Sequence, residues 1–502
     1  MKEENKPFSI HIFMYPFKWK EDMKNFNEVL NLLSAKGWMR KEFIIERSIH
    51  YKEFVYYHPF VQKMVFDTGN TDSIRYMEYP LAEDAAFEFD IADYSKAFKA
   101  KLALKGVSVH LFFTGVGILT FKLENYQSGD LCFIKYLNDY GRRTYPQFLV
   151  DNNDSDVDFD YTSKVKKTFL PNSIKVKYGN NYIVEDFRGY RLPIPIEETI
   201  TPPAYIKHIM PIDKIIPLND DRMYTMCWYG NNELAKSLTR KHNNTLHNYS
   251  YQTSDEWYSL IFCDKSDSSC QSLSIRNEHL KRYTYDRWAN YGTLYGITRD
   301  SLICLTSEWD DLIENYADHL VETFQTVYYQ MAIICLAQRS SLNKFSCELS
   351  TILSDEKKIT ENVEGFQTNY FKFNNQLYFK EVTSQIQGIE MYSMMQQSMQ
   401  IDGDAMRLDR EIEELHNLMS IRNSSKIDRQ MLQLTKIALY FTPASILLAF
   451  ASLFVNNTFA SKTDSCPAFF WVIIIAGILV YIGAVVLMKS LINKKNKKLC
   501  TN

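Results

Sequence analysis

Two adjacent arginines stand between aromatic residues just after a predicted helix. The stretch reads Tyr140, Gly141, Arg142, Arg143 and, after one threonine, Tyr145. Guanidinium groups carry forked donors that match phosphate oxygens, and aromatic rings stack on cations and nucleobases. The cluster predicts a nucleotide-binding site. The alternative is a surface loop with ordinary ion pairs.

A second polar cluster consists of Asp220, Asp221 and Arg222, between Pro217 and a predicted strand. Carboxylates accept hydrogen bonds, so these side chains could hold the hydroxyl groups of a ribose or an amine. We therefore predict that this cluster also contacts the ligand, again with a plain surface loop as the alternative.

Catalytic motifs are absent from the sequence, which has no Walker loop, no His-Glu-x-x-His and no Gly-x-Ser-x-Gly. Gly115 and Gly117 lack the third glycine of a phosphate loop and are interpreted as a tight turn. A run of aspartates lacks the turn glycine and the terminal glutamate of an EF-hand and is interpreted as a solvated loop. It comprises Asp151, Asp154, Asp156, Asp158 and Asp160. We expect a protein that is not an enzyme and needs no cofactor, and any metal ligands stay unknown.

Composition narrows the classes of partner and compartment. The chain of 502 residues has a formal net charge of -3, which excludes the strongly basic field typical of DNA or long-RNA binding. Its first twenty residues contain no continuous apolar stretch, so we expect no secretory signal. Nine cysteines without a Cys-x-x-Cys pair fit a reducing compartment.

Alternating apolar residues open the predicted head, residues 1–305. Phe8, Ile10, Ile12 and Met14 occur at every second position, which predicts a strand. Residues 107–123 predict two strands joined at Gly115 and Gly117, and residues 131–140 predict a helix. Further strands are predicted at 223–228 and 259–263, with a hairpin at 293–305. The predicted class is α+β or α/β.

Residues 306–434 are predicted to form a helical stalk. Prolines disappear there, while apolar residues recur at helical spacing, which predicts one helix over 311–342 and another from about 371 onward. Several apolar residues of the second helix have coiled-coil spacing. They are Leu408, Ile412, Leu415, Met419, Ile427, Met431 and Leu434.

Two uncharged stretches, 437–455 and 468–488, predict a transmembrane hairpin within 435–490, followed by a basic tail at 491–502. The lysines cluster in that tail. By the positive-inside rule both termini are then cytosolic, and we expect a multi-pass protein of the inner, or plasma, membrane.

Small and polar residues recur at spacings of three and four along the first predicted span, so they share one helical face. The stripe comprises Thr435, Ala438, Thr442, Ser445, Ala449, Ser452 and Asn456, and Asp428 extends it toward the stalk. One interpretation is the lining of an ion pore, and the other is close helix packing. A pore would require a homo-oligomer, because two helices cannot enclose one.

A long helix that runs into Phe441, Thr442 and Pro443, then a second span and a basic tail, resembles the CorA family of divalent-cation channels. In that family the first span lines the pore, and the resemblance implies five subunits. The family's Gly-Met-Asn signature is missing. Here the chain reads Ser452, Leu453 and Phe454, followed after Val455 by Asn456 and Asn457.

The large head and the missing signature resemble the CorA-like effectors of type III CRISPR systems. That resemblance implies a nucleotide second messenger, SAM-AMP, as the ligand of the head and an antiviral role. The predicted function is a homo-oligomeric membrane channel gated by this ligand. The alternatives are a transporter of magnesium or another divalent cation, and a membrane-anchored binding protein without conduction.

Overall fold

A computed structural model describes the chain in segments separated by gaps. The described residues are 6–20, 26–69, 73–92, 97–146, 171–190, 192, 194–195, 200–218, 220–241, 249–265, 268–308, 316–354, 359–460, 475, 478–479, 481–483 and 486. The chain divides into two compact units, Met1–Asp409 and Arg410–Asn502. The predicted acidic run at 151–160 lies outside the described residues.

The first unit is built on a mixed sheet of thirteen strands. In chain order they are β1 (Ser9–Trp19), β2 (Met39–Arg40), β3 (Ile74–Glu78), β4 (Ala86–Ala92), β5 (Ala97–Phe112), β6 (Val116–Asn125), β7 (Ser173–Lys177), β8 (Tyr182–Asp186), β9 (Ile215–Pro217), β10 (Tyr224–Gly230), β11 (Thr284–Tyr285), β12 (Leu294–Ile297) and β13 (Ser301–Thr306). Their spatial order is β11-β12-β13-β10-β1-β6-β5-β4-β7-β8, with β9 beside β1, β3 beside β5 and β2 beside β3. Among the described strands, β10 and β13 form the one parallel pair.

The helices lie mainly in the second half of the chain. They are α1 (Phe26–Ala35), α2 (Ser48–Tyr56), α3 (Pro59–Val65), α4 (Leu131–Gly141), α5 (Ala204–Ile209), α6 (Asn232–Leu238), α7 (Asp255–Ile261), α8 (Leu273–Tyr283), α9 (Tyr316–Thr323), α10 (Tyr329–Ser354), α11 (Ile359–Gln376), α12 (Ile386–Ser398) and α13 (Ile401–Ala460). A π-helical turn, Phe324–Tyr328, joins α9 to α10.

Strand β1 lies in the centre of the sheet and is buried on both faces. Phe13 and Phe17 belong to a large apolar core on one face. Helix α10 covers the other face, where Tyr329 donates to Thr120 Oγ1 at 3.2 Å and Thr114 bonds Ser341 at 2.7 Å. The predicted strand is confirmed, and it is buried on both faces because helix α10 covers the face opposite the apolar core.

The hairpin predicted around Gly115 and Gly117 is confirmed as β5 and β6. Gly115 has a φ of +81°, a conformation that side chains other than glycine rarely adopt. The hairpin predicted at 293–305 is also confirmed, as β12 and β13. The strand predicted at 223–228 corresponds to β10.

The strand predicted at 259–263 is wrong, because these residues end helix α7. Ser254 caps that helix by accepting from Trp257 N at 3.1 Å, and Asp255 and Glu256 occupy its first turn. An N-cap serine followed by acidic residues stabilises a helix start. The short apolar run alone could not distinguish a buried helix from a strand.

Helix α4 confirms the helix predicted at 131–140. Asp130 caps it by accepting from Phe133 N at 3.1 Å. At its other end Gly141 packs against β1, since a Cβ added there would lie 2.5 Å from Phe13 Cζ. This close approach places the residues that follow α4 beside the sheet.

The helices predicted for residues 306–434 are present but interrupted. A π turn precedes α10, and the second predicted helix is divided into α11, α12 and α13, with Gln400 at a positive φ of 59° before α13. Helices α9 to α12 belong to the same compact unit as the sheet, and the division into units falls inside α13.

The predicted transmembrane hairpin needs correction. Within the described part of the chain, no helix combines the length and the apolarity that crossing a membrane requires. The predicted first span, 437–455, lies in α13, and its described side chains include three hydroxyls, whereas the second, 468–488, falls largely outside the described residues. On this finding, the two membrane helices, the inner-membrane localisation and the ion-channel class are wrong for the described residues. The absence of charged residues was too weak a criterion for predicting a membrane-spanning helix.

Candidate ligand-binding site

The two polar clusters predicted from the sequence lie side by side. Arg143 and Arg222 form an isolated antiparallel bridge. Around it, Thr144 N donates to Asp221 O at 2.8 Å, and Met223 N donates to Arg142 O at 2.7 Å. The segment after α4 and the segment before β10 are therefore held together by their backbones.

Arg143 lies in the interior and is already paired. It is 5% exposed, its Nη2 donates to Asp139 Oδ1 at 2.8 Å, and its Nη1 donates to Asp221 Oδ2. Burial lowers the pKa of Arg143, but the two carboxylates outweigh it and leave the pKa raised. A ligand phosphate would have to displace both carboxylates from a desolvated pair, and in this structure Arg143 joins Asp139 of α4 to Asp221 before β10.

Arg142 is 4% exposed and binds the carboxyl end of α7. Its Nη2 donates to Cys263 O at 3.2 Å and lies 3.4 Å from Phe262 O. A cation at the carboxyl end of a helix offsets the partial negative charge of the carbonyl groups that have no partner within the helix. Cys263, whose carbonyl accepts one of these bonds, has a positive φ of 55°.

The two tyrosines of the cluster differ in their surroundings. Tyr140 is fully buried, and its hydroxyl accepts from Lys265 Nζ at 2.8 Å. Tyr145 is half-buried, and burial together with Asp221 and Asp220 raises its pKa. Neither ring lines the cavity described next.

A cavity of about 440 Å³ lies beside the other predicted cluster. Helix α10 forms one wall, the turn between β12 and β13 a second, and the start of β10 a third. Its lining comprises Pro16, Leu218, Asp220, Arg222, Tyr224, Arg299, Asp300, Leu336, Arg339, Ser340 and Asn343. The structure thus places Asp220 and Arg222 in a cavity, whereas Asp221 points to the buried pair with Arg143.

Arg222 is held on its own segment. Its Nη2 lies 2.5 Å from Asp220 Oδ2, and its Nε lies 3.5 Å from Asp221 Oδ1. Burial lowers the pKa of Arg222, yet Asp220 and the other carboxylates raise it beyond its usual value. Burial likewise raises the pKa of Asp220, but the bonds from Arg222 lower it overall. Both groups are charged at neutral pH.

Arg339 and Arg299 bring two more cations from distant parts of the chain. Arg339 Nη1 donates to Arg299 O at 3.2 Å and to Asp300 Oδ1 at 3.4 Å. Burial and the nearby Arg299 lower the pKa of Arg339 in spite of Asp300. The Arg299 side chain is exposed and forms no ion pair with a described residue.

Tyr224 lines the cavity at the first residue of β10. Its hydroxyl is buried and has no hydrogen-bond partner among the described residues. Burial raises the pKa of Tyr224, so the hydroxyl stays protonated. A buried donor without a partner costs about 1–3 kcal/mol, which a partner gained on ligand binding would offset.

Three guanidinium groups against two carboxylates give the cavity a net positive charge. This arrangement can bind an anion, because a negative group between Arg299 and Arg339 would reduce the repulsion between their positive charges. Within the described ranges, no group of three or more histidine, cysteine, aspartate or glutamate side chains is arranged to hold a metal ion.

Arg299, Asp300 and Arg339 were not among the predicted site residues. Arg299 and Asp300 occupy the turn of a predicted hairpin, and a charged pair at a turn is an available signal. Arg339 lies within a predicted helix, and its spacing in the sequence carries no signal for the site.

The predicted pore stripe lies on α13, and none of its residues is among those that line this cavity. Asp428, Thr435, Ala438, Thr442, Ser445, Ala449 and Ser452 are exposed, and the side chain of Asn456 is outside the description. Thr435 and Thr442 donate to the carbonyls of Met431 and Ala438, on their own helix. The role predicted for the stripe depended on the membrane span corrected above.

Comparison of the sequence with protein-family models gives no match, and comparison with curated proteins gives none either. The resemblance to the CorA family and to the CRISPR-associated effectors therefore stays a prediction from the sequence.

Proposed function

We propose that the chain is a sensor that binds a phosphate-bearing, nucleotide-sized ligand in the cavity between α10 and the sheet. The observation that carries this proposal is the convergence of Arg222, Arg299 and Arg339 on one cavity from three separate elements. Three guanidinium groups meet only two carboxylates there, Asp220 and Asp300, so an anionic ligand would offset the remaining positive charge.

The dimensions and lining also suit a nucleotide. A volume of about 440 Å³ lies in the range of small-molecule sites. Pro16, Leu218 and Leu336 offer apolar surface for a base or sugar. Ser340 and Asn343 supply donors and acceptors for hydroxyl or ring nitrogen atoms.

A nucleotide second messenger such as SAM-AMP belongs to this ligand class, and an antiviral role in a CRISPR response would follow from sensing it. That part of the proposal rests on the resemblance described above. Conduction and divalent-cation transport are not proposed, because they depended on the corrected membrane spans. Binding is the function that the cavity supports by itself.

We further propose that the chain is a homo-oligomer associating through α13. Exposed apolar side chains on this helix recur at spacings of four, three and seven residues, which is typical of a coiled-coil seam. Ile427 is 58% exposed, Met431 60%, Leu434 62% and Phe441 71%. Burial of such a series against identical copies would remove apolar surface from water.

Calorimetric titration of the full chain with SAM-AMP, ATP, AMP and adenosine tests ligand binding. We expect the phosphate-bearing ligands to bind and adenosine to bind more weakly. Arg339→Ala should weaken AMP at least about tenfold, because hydrogen bonds to charged groups contribute about 1.5–3 kcal/mol.

Arg188→Ala is the matched control. Arg188 also pairs with an aspartate, Asp186, at 2.8 Å, but it does not line the cavity. It should leave AMP affinity unchanged. The proposal fails if no phosphate-bearing compound binds at millimolar concentration, or if Arg339→Ala binds AMP as the wild type does.

A further inference from the structure

Arg339 contacts the turn between β12 and β13 loosely. A single nitrogen, Nη1, makes both contacts, to Arg299 O at 3.2 Å and to Asp300 Oδ1 at 3.4 Å. Charge-assisted hydrogen bonds are usually about 2.7–2.9 Å long. The Asp300 side chain is 40% exposed and that of Arg339 is 21% exposed, so solvent weakens the pair further.

The other carboxylate of the cavity is held far more tightly. Asp220 accepts from Arg222 Nη2 at 2.5 Å, from Arg222 Nε at 3.1 Å and from Arg222 N at 2.9 Å. All three bonds join residues two positions apart, so they form locally and cost little chain entropy. Asp300 is therefore the carboxylate that a competing anion displaces more easily.

We infer that Asp300 is an internal competitor of the ligand, occupying Arg339 until an anionic group replaces it. This inference rests on the proposed function. Ligand binding then exchanges one ion pair for another: Arg339 leaves Asp300 and binds the phosphate. Asp300 thereby sets the threshold concentration at which the cavity fills.

The backbone of the turn does not depend on the Asp300 side chain. Asp300 O accepts from Thr225 N at 3.0 Å, and Asp300 N donates to Thr298 Oγ1 at 3.3 Å. Asp300→Asn keeps the size and an acceptor oxygen while removing the charge. The cavity then has three guanidinium groups against one carboxylate.

The test is titration of the full chain with AMP and with adenosine. We expect Asp300→Asn to bind AMP about fivefold or more tightly, and adenosine as the wild type does. Asp300→Ser, which shortens the side chain, should act in the same direction. Asp404→Asn is the matched control, because Asp404 also pairs with an arginine, Arg407, at 3.4 Å and lies outside the cavity lining.

The outcomes separate this inference from the function on which it rests. If wild type binds AMP but Asp300→Asn and Asp300→Ser bind it equally or more weakly, the inference is overturned and the binding site stands. If neither the wild type nor the variants bind AMP or ATP, both are overturned. A gain shared by Asp404→Asn would reflect net charge alone and would also overturn the inference.

Discussion

Arg143 and Asp221 form a buried ion pair that joins the segment after α4 to the segment that carries Asp220 and Arg222. The pair is connected to the cavity through the backbone bridge between Arg143 and Arg222, and through Arg222 Nε, which lies 3.5 Å from Asp221 Oδ1. Arg143 and Asp221 therefore hold the cavity wall in place, whereas Asp220 and Arg222 line the cavity.

Arg143→Ala should lower the free energy of unfolding by about 3–5 kcal/mol, because Asp221 and Asp139 each lose the shorter of their arginine contacts in a desolvated site. Chemical denaturation measures this loss. The double variant Arg143→Met, Asp221→Leu should recover part of the stability, since it removes the buried charges on both sides of one pair. A single variant as stable as wild type would contradict the buried pairing.

Arg299→Ala should weaken AMP binding about tenfold while changing the melting temperature little. Its side chain is exposed and forms no ion pair with a described residue, so the loss concerns the ligand and not the fold. Titration calorimetry and thermal unfolding of the same sample check both parts. Raising the salt concentration should reduce the difference between variant and wild type, because salt screens an exposed charge.

Acid should destabilise the chain through His11. Burial lowers the pKa of His11 to about 4, although its bond to Asn138 opposes the shift. The unfolded chain therefore binds more protons between about pH 6.5 and 4, and stability falls as the pH falls through that interval.

His11→Gln should flatten this part of the stability profile, measured by denaturation at a series of pH values. His110 is the internal comparison, because burial and Lys122 lower its pKa to about 3 and its contribution persists in the variant. A variant whose profile retains the full slope of the wild type would contradict the assignment to His11.

Two glycines should respond in opposite ways to alanine. Gly141→Ala introduces a Cβ 2.5 Å from the Phe13 ring and should cost about 1–3 kcal/mol by overpacking. Gly403→Ala, in the first turns of α13, meets nothing within 4 Å and should stabilise by up to about 1 kcal/mol. Denaturant midpoints of the two variants decide the matter, and equal shifts in one direction would refute the packing at Gly141.

Met431→Ser together with Leu434→Ser should weaken self-association at least about tenfold, because each side chain loses the burial that association provides. Light scattering coupled to gel filtration measures the mass as a function of concentration. Leu418→Ser is the control on the same helix, since Leu418 is 56% exposed but lies on the face opposite Ile427. If all variants have the mass of the wild type, α13 is not the seam.

The sequence predicts those elements whose signals are local. The hairpin at Gly115 depends on a backbone conformation that few residues adopt, and helix α4 depends on a cap and a periodic apolar face, so both could be recognised. Helix α7 differs from the predicted strand because its buried apolar run is short, and the helix signal, the capping Ser254, lies outside that run. In each of these elements, the interaction that decides between helix, strand and turn joins residues only a few positions apart in the sequence.

The cavity could be predicted only in part, because it is a product of long-range packing. Asp220 and Arg222 stood out as a local cluster, but Arg299 and Arg339 reach the same place through the sheet and through α10. Arg142 and Arg143 were chosen for their chemistry, yet chemistry alone does not reveal that Asp139 and Asp221 already neutralise them. Exposure, which decides the role of an arginine, is set by the whole fold.

The parallel pairing of β10 with β13 has a consequence for biosynthesis. Tyr224 begins β10, but its neighbours Arg299 and Asp300 directly precede β13, and Arg339 follows on α10. A nascent chain therefore cannot assemble the cavity until residues as far as Asn343 have left the ribosome, although β1 and β6 can pair much earlier. Ligand capture thus requires a polypeptide that extends at least to Asn343, and termination products that end before Arg339 lack part of the cavity lining.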